Sequence, residues 1–261
     1  MAAESGKIDP MHQFLVEPLF GQHWQIAGYN IAFTNSAAWM AATFAVLCGF
    51  MLLGMKRELV PGRWQMAVEG MTGFITDMMD TNIGAKGRKY VPYVFSLFMF
   101  ILFANMLGML PTALVGVHAF TITSHLTVTG ILAIVTFALV LVIGFFTHGL
   151  HFFSLFVPHG TPWWMVPLIF VIELVSFLVR PFSLALRLFV AMTAGHVLLK
   201  VLAGFVINGA NAGPLTAVAV SIPSFILMIG ISLLEVLIAA IQAYVFALLA
   251  SFYLNDAINL H

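Results

Sequence analysis

Charged residues are scarce in this chain: Lys, Arg, Asp and Glu together make up 8% of its 261 residues, against about 25% in soluble domains. Hydrophobic residues make up 62%, and ten basic residues balance ten acidic ones. This composition excludes an ordinary soluble domain and predicts a polytopic membrane protein. Because no basic cluster interleaves with aromatic residues, the chain also lacks the electrostatic features of a nucleic-acid-binding protein.

Cysteine is nearly absent as well. Cys48 is the single cysteine of the sequence, which excludes an intrachain disulfide and a cysteine-based metal site. His148 and His151 stand three residues apart, as metal ligands can, but no third ligand is evident. An interfacial loop at residues 148–164, rich in His, Pro and Trp, is therefore the favoured interpretation, with a metal site as the alternative. We expect no cofactor and no bound metal.

Three apolar segments of membrane-spanning length precede the C-terminal half, at residues 37–55, 93–110 and 125–147. After the first, apolar residues recur at three-and-four spacing from Trp64 to Met79, which predicts an amphipathic helix at the membrane surface. Six of the ten Lys and Arg residues lie between residues 56 and 89, so the positive-inside rule places this connection on the inner side.

The N-terminal tail, residues 1–35, is then expected on the outer, periplasmic side. Lys7 is its only basic residue, and no apolar core follows it directly, so neither a signal peptide nor a transit peptide is predicted. Residues 36–256 are expected to form a single integral membrane domain, and residues 257–261 an inner-side C-terminal tail.

Two apolar stretches of about forty residues follow, at 167–206 and 215–255. As helices each would be roughly 60 Å long, about twice the hydrocarbon thickness, so each must tilt, bend or break. A turn rich in Asn, Gly and Pro joins them at residues 208–214. The predicted fold is an all-α polytopic membrane protein with about five crossing helices and one interfacial helix, ending in a long tilted antiparallel hairpin over residues 163–256.

Ionisable residues interrupt this apolar hairpin, although each charge near the bilayer centre costs at least about 2.5 kcal/mol. They are Glu173, Arg180, Arg187, His196, Lys200 and Glu235. Five polar residues of the first arm are spaced three, four, three and four apart, which predicts a polar stripe on one helix face; they are Glu173, Ser176, Arg180, Ser183 and Arg187. Arg187 lies too deep to reach water easily, whereas the shallower Arg180 fits an interfacial anchor.

The second arm supplies partners at matching depth. In an antiparallel pair with its turn near Pro214, residues at the same depth have numbers that sum to about 430. His196 with Glu235 and Arg187 with Gln242 both satisfy this sum within one. His196 and Arg187 are nine residues apart and point to opposite helix faces. We therefore expect Arg187 to face one partner, and His196 with Glu235 to face a separate wet cavity.

The run from Pro181 to His196, PFSLALRLFVAMTAGH, resembles the signature of subunit a of the Fo sector of rotary, F-type ATP synthases, whose essential arginine would be Arg187. Further similar segments are Glu173-Leu-Val-Ser176, Phe103-Ala-Asn105-Met-Leu-Gly-Met-Leu-Pro111, and Glu235 with Gln242. A His on the first arm and a Glu on the second resemble the alphaproteobacterial and mitochondrial form. One departure is Ala191, where the family usually has Asn.

The resemblance implies a non-catalytic stator subunit that carries protons through two offset aqueous half-channels and couples their flow to rotation and ATP synthesis. Its implied partners are the ring of c subunits, the b subunits of the peripheral stalk and the lipid bilayer, with protons as the only small substrate. The implied location is the bacterial cytoplasmic (inner) membrane, with the mitochondrial inner membrane as the alternative.

The resemblance also implies residue roles: Arg187 is the barrier between the half-channels, and His196, Glu235 and Gln242 form the outer half-channel and the partner of the arginine. Glu173, Ser176 and Ser183 line the inner one. A stand-alone secondary transporter is the alternative function, although no duplicated halves are visible. An intramembrane enzyme is disfavoured, because no nucleophile, metal or phosphate-binding motif appears.

Overall fold

The computed structural model describes residues 15–16, 18–20, 25–26, 29–30, 32–56, 60, 62–110, 121–149, 152 and 162–259. Its helices are α1 (Asn35–Gly54), α2 (Arg63–Asn82), α3 (Val91–Gly108), α4 (Leu126–His148), α5 (Val166–Asn211), α6 (Pro214–Thr216) and α7 (Ile222–Ile258). Two short antiparallel strand pairs precede α1: β1 (Pro18–Phe20) with β4 (Phe33–Thr34), and β2 (Gln25–Ile26) with β3 (Tyr29–Asn30).

Within the described residues, five helical segments are long and apolar enough to cross a membrane: Asn35–Gly54, Ala85–Gly108, Leu126–His148, Val166–Asn211 and Pro214–Ile258. Helices suit these segments because lipid offers no hydrogen bonds, so the backbone must satisfy its own polar groups. The predicted fold class is confirmed, and α1, α3 and α4 begin and end within two residues of the predicted segments. Much of the predicted N-terminal tail, together with His151 and His159 of the predicted inner loop, lies outside the described residues.

The amphipathic α2 is not one of the crossing segments. Its buried apolar residues Val68, Ile75 and Met79 lie on one face at helical spacing, whereas Met66 on the opposite face is 61% exposed. The helix follows the basic connection, as predicted for an interfacial element.

The chain divides into two compact units. Unit 1 contains residues 1–43, 102–125 and 189–242, and unit 2 contains residues 44–101, 126–188 and 243–261. The second half of α5 and the first half of α7 belong to unit 1. The first half of α5 and the last part of α7 belong to unit 2.

The hairpin turn lies in unit 1 and is shorter than the sequence predicts. The predicted turn at residues 208–214 is wrong at its start, because α5 continues to Asn211 and the Ala212 N–H still donates to the Asn208 carbonyl at 3.1 Å. The chain reverses at Gly213, whose φ of +126° is a conformation that favours glycine. Pro214 then occupies the first turn of α6, where its missing N–H costs little.

Close packing of the two arms follows this turn. A π-helical turn at Ala217–Ser221 joins α6 to α7, and the Ser221 hydroxyl donates to the Val206 carbonyl of α5 at 2.8 Å. A side chain at Gly209 would collide with Ser221, so this glycine lets the arms approach. The antiparallel hairpin is therefore confirmed within unit 1.

Aromatic rings and small residues form the core of unit 2. The Phe177 ring of α5 lies 4.8 Å from the Phe137 ring of α4 and 6.4 Å from that of Phe152, measured between centroids. On α7, Ala247 and Ala250 are fully buried, which allows neighbouring helices to approach closely. Dispersion contacts and close fit hold such a core together, because lipid supplies no hydrophobic driving force between helices.

Polar contacts fasten one end of unit 2. The Asn82 amide at the end of α2 donates to the Ser251 hydroxyl at 2.7 Å. Nε2 of His148, the last residue of α4, lies 3.1 Å from the Ile258 carbonyl of α7. These bonds connect the end of α7 to the ends of α2 and α4.

Candidate functional site

A buried ionisable pair connects α5 and α7 in unit 1. Nδ1 of His196 lies 3.2 Å from Oε1 of Glu235, and the side chains are 13% and 4% exposed. The contact confirms the depth match that the sequence predicts for these two residues. Imidazole and carboxyl groups at this distance can exchange a proton, so the pair can bind and release protons inside an apolar hairpin.

The close approach of Glu235 depends on a glycine. A Cβ atom at Gly195 would lie 2.6 Å from Oε1 of Glu235, too close for non-bonded atoms. The absence of a side chain on α5 therefore makes room for the carboxylate beside His196.

A hydroxyl group from outside the hairpin reaches the same pair, and a neighbouring hydroxyl is connected to α7, which the sequence did not predict. Oγ1 of Thr121 lies 2.5 Å from Nε2 of His196. Thr123 donates to the Asn105 side-chain oxygen at 2.7 Å, and the Asn105 amide donates to the Ala239 carbonyl of α7 at 3.1 Å. Asn105 carries a signal that could have revealed it, because it is an amide inside the apolar run of α3 and needs an internal partner there.

The predicted polar stripe occupies one face of α5 in unit 2. Ser176, Ser183 and Arg187 are exposed, and Glu173 is partly buried. Arg187 lies 21 residues after the first residue of α5 and 24 before the last. In the described part of the chain, ion pairs involve Arg88, Arg180 and His196 but not Arg187. The Arg187 charge is thus exposed in the middle of an apolar helix.

Arg180 has more partners than an interfacial anchor requires. Its guanidinium lies 2.7 Å from the Asp256 carboxylate of α7 and 3.7 Å from that of Glu173. It also lies over the Phe177 and Tyr253 rings, at 5.5 and 5.3 Å from their centroids. The interfacial-anchor interpretation is therefore incomplete. Sequence reasoning missed Asp256, although an acidic residue in the last turn of an apolar helix is itself a signal.

Two further polar residues lie on the hairpin. Lys200 is partly buried one turn after His196 on α5, and Gln242 is partly buried on α7. The partnership of Gln242 with Arg187 stays a prediction from the sequence register.

The sequence pattern of a family described as ATP synthase A chain matches residues 37–255. A relative from Rhizorhabdus wittichii, named ATP synthase subunit a, is 75% identical over 261 residues, which is the whole of both chains. Relatives of the same name are 60% identical over 267 residues in Zymomonas mobilis, covering 99% of this chain and 100% of the relative, and 46% identical over 253 residues in Rhodospirillum rubrum, covering 97% and 99%.

The five apolar helices found in the described residues, together with these bacterial relatives, identify the chain as a multi-pass bacterial membrane protein. The pattern match covers well over half of the chain, and the relatives are similar along nearly its whole length. The chain therefore belongs to the ATP synthase A chain family, the subunit a family of F-type ATP synthases.

Proposed function

We propose that this chain is the proton-carrying stator subunit of the Fo sector in the bacterial cytoplasmic membrane. It works beside a rotating ring of c subunits, is held by the b subunits of the peripheral stalk, and catalyses no covalent chemistry itself. The observation that carries the proposal is the exposed charge of Arg187 in the middle of a 46-residue apolar helix.

The position of Arg187 calls for an acidic partner on another chain. A guanidinium stays protonated even in an apolar setting, and a charge near the bilayer centre costs at least about 2.5 kcal/mol unless something compensates it. A carboxylate carried by each ring subunit meets this requirement. Arg187 favours the ionised form of that carboxylate, so it drives the proton off and prevents a direct leak between the two half-channels.

The buried pair of His196 and Glu235 serves the outer half-channel. Both side chains bind and release protons, and their 3.2 Å separation lets a proton pass between them. Protons that arrive from outside are held by this pair and delivered to the ring carboxylate after it leaves Arg187. The carboxylate then moves into the lipid in its neutral form. Gln242 keeps its predicted role as a partner of Arg187.

The inner half-channel is lined by the accessible face of α5. We name Glu173, Ser176 and Ser183 the inner stripe; its serines are exposed and its glutamate is partly buried. Hydroxyl and carboxylate groups on such a face hold water and accept protons released by the ring. Offset half-channels convert the membrane potential into rotation, because each proton contributes about 2.3 kcal/mol per 100 mV.

The experiment that tests the proposal measures ATP-driven acidification of inverted membrane vesicles that contain the assembled complex. Arg187→Ala should abolish pumping and increase passive proton leak, because the barrier between the half-channels is lost. Arg187→Lys should also abolish pumping, since an ammonium can lose its proton when desolvated and lacks the planar fork. Arg63→Ala changes an exposed arginine on α2 and serves as the control.

Two results would contradict the proposal. Normal pumping in either Arg187 variant would remove the barrier role. Substrate-driven ion transport by the purified chain alone in liposomes would instead favour a stand-alone secondary transporter, which needs no ring.

A further inference from the structure

The second ring nitrogen of His196 has a partner of its own. Thr121 lies just before a short 3-10 turn at Ile122–Ser124, and its hydroxyl oxygen is 2.5 Å from Nε2 of His196. Nδ1 of the same ring faces Glu235 at 3.2 Å. The imidazole therefore has a polar group beside each nitrogen, a carboxyl oxygen at ion-pair distance on one side and a hydrogen-bonded hydroxyl group on the other.

The backbone around Thr121 is fixed by hydrogen bonds within its own turn. The Ser124 hydroxyl and N–H both donate to the Thr121 carbonyl, at 2.6 and 3.2 Å. Thr121 and Ser124 are 5% and 4% exposed. A Cβ atom at Gly108 would collide with the Thr121 side chain, so this glycine at the end of α3 makes room for it.

The same turn is bonded to both helices that carry the buried pair. The Thr193 hydroxyl, one turn before His196 on α5, reaches the Ser124 carbonyl at 3.4 Å. Through Asn105, the Thr123 hydroxyl is connected to the carbonyl of Ala239, one turn after Glu235 on α7. These bonds connect the turn to both helices that carry the pair.

A hydroxyl suits Nε2 because it can donate or accept a hydrogen bond by rotation alone. When the pair holds one proton, on Nδ1 of His196 and facing an ionised Glu235, Nε2 is an acceptor and the Thr121 O–H donates to it. When the pair holds two protons, Nε2 carries a hydrogen and donates to the Thr121 oxygen. Adding one proton thus leaves no ring nitrogen without a partner, and a methyl group could serve neither state.

We propose that Thr121 is a positioning residue for proton uptake: its hydroxyl orients the His196 ring so that Nδ1 faces Glu235 in both protonation states of the pair. This inference rests on the proposed proton-carrying function. It predicts that the hydroxyl, rather than the shape or volume of the side chain, is what the site requires.

The test compares variants of Thr121 in inverted membrane vesicles, as the rate of ATP-driven proton pumping per assembled complex. Thr121→Val keeps the shape and removes the hydroxyl, so the rate should fall about tenfold or more, the expected effect of losing one hydrogen bond to a charged group. Thr121→Ser keeps the hydroxyl and should pump at close to the unmodified rate. Thr43→Val is the matched control, because Thr43 is fully buried and donates to the Trp39 carbonyl of its own helix.

Thr121→Cys keeps the inference testable if Thr121→Val does not assemble, because cysteine has the same shape as serine, with a somewhat larger thiol in place of the hydroxyl, but hydrogen-bonds weakly. It should pump like Thr121→Val and unlike Thr121→Ser. Unmodified pumping by Thr121→Val, or equal losses in the Ser and Cys variants, would overturn the inference. Arg187→Ala in the same vesicles distinguishes a failure of the Thr121 inference from a failure of the proposed function, because pumping by that variant would overturn the proposed function itself.

Discussion

Replacing Gly195 by alanine adds a single methyl group beside the Glu235 carboxylate. The new Cβ would lie 2.6 Å from Oε1, 3.0 Å from Cδ and 3.2 Å from Cγ of Glu235. Non-bonded carbon and oxygen atoms stay about 3.3 Å apart or more, so Oε1 must move away by about 0.7 Å. We expect Oε1 to move away from α5, which carries both Gly195 and His196, and a shift in that direction would lengthen the 3.2 Å contact between Oε1 and Nδ1.

The lengthened contact lies beyond the distance over which a proton passes directly between two groups. Weakening this ion-pair contact should cost about 1.5–3 kcal/mol, the range for one charge-assisted polar contact. If that cost adds to the barrier for proton transfer, pumping by Gly195→Ala should fall about 10- to 100-fold. Helix formation should not suffer, because alanine is favoured over glycine in a helix interior by about 1 kcal/mol.

The assay is ATP-driven acidification of inverted vesicles, divided by the amount of assembled complex on an immunoblot. Gly130→Ala is the control: Gly130 lies inside α4, and a Cβ there would meet no atom within 4 Å. It should assemble and pump like the unmodified protein. Unchanged pumping by Gly195→Ala at normal assembly would refute the reasoning, since the carboxylate would then need no fixed distance from His196.

Two further predictions concern the carboxylates. Glu173→Gln should slow proton release on the inner side only partly, because the serines of the inner stripe can still hold water; its control is Glu69→Gln on the exposed surface of α2, and an unchanged rate would make Glu173 a structural residue. Single changes of His196 or Glu235 should be harmful, because each leaves a buried group alone. The double variant His196→Glu with Glu235→His should synthesise ATP in energised vesicles faster than at least one single variant, and a rate equal to the worse one would contradict the proposed uptake path.

Hydrophobic periodicity and segment length predicted most of the fold. Lipid forces each crossing segment to be helical, so an apolar run of adequate length leaves little freedom in the position of its ends. The register of the hairpin was also predictable near the tip, because a tight turn fixes which residues lie at equal depth. His196 and Glu235 meet for this reason.

The sum rule that matches His196 with Glu235 fails for Arg180. A sum of 430 would place it opposite residue 250, yet it binds Asp256, six residues or about 9 Å of helix further on. An arginine side chain is long enough to reach a partner at a different depth from its own Cα atom, so this contact does not show which backbone positions lie opposite each other. A register rule based on backbone positions therefore finds short-range pairs and misses contacts made by long side chains.

Thr121 could not be predicted for another reason. No periodicity relates it to His196, because the two residues lie 75 positions apart and on different elements. Asn105 was more accessible to sequence reasoning, since an amide inside an apolar helix requires a partner. The sequence does not say which carbonyl or hydroxyl that partner is.

The charged residues of the hairpin fall into two groups: those that pair with another residue of this chain, and the exposed Arg187. In the described part of the chain, His196 pairs with Glu235 within unit 1, and Arg180 pairs with Asp256 within unit 2. Such pairs offset the cost of burying charge and can stay in place while a neighbouring subunit moves. Arg187 is exposed and belongs to none of these ion pairs. The proposed stator role requires this division, because a barrier residue with a permanent internal partner could not attract each passing ring subunit in turn.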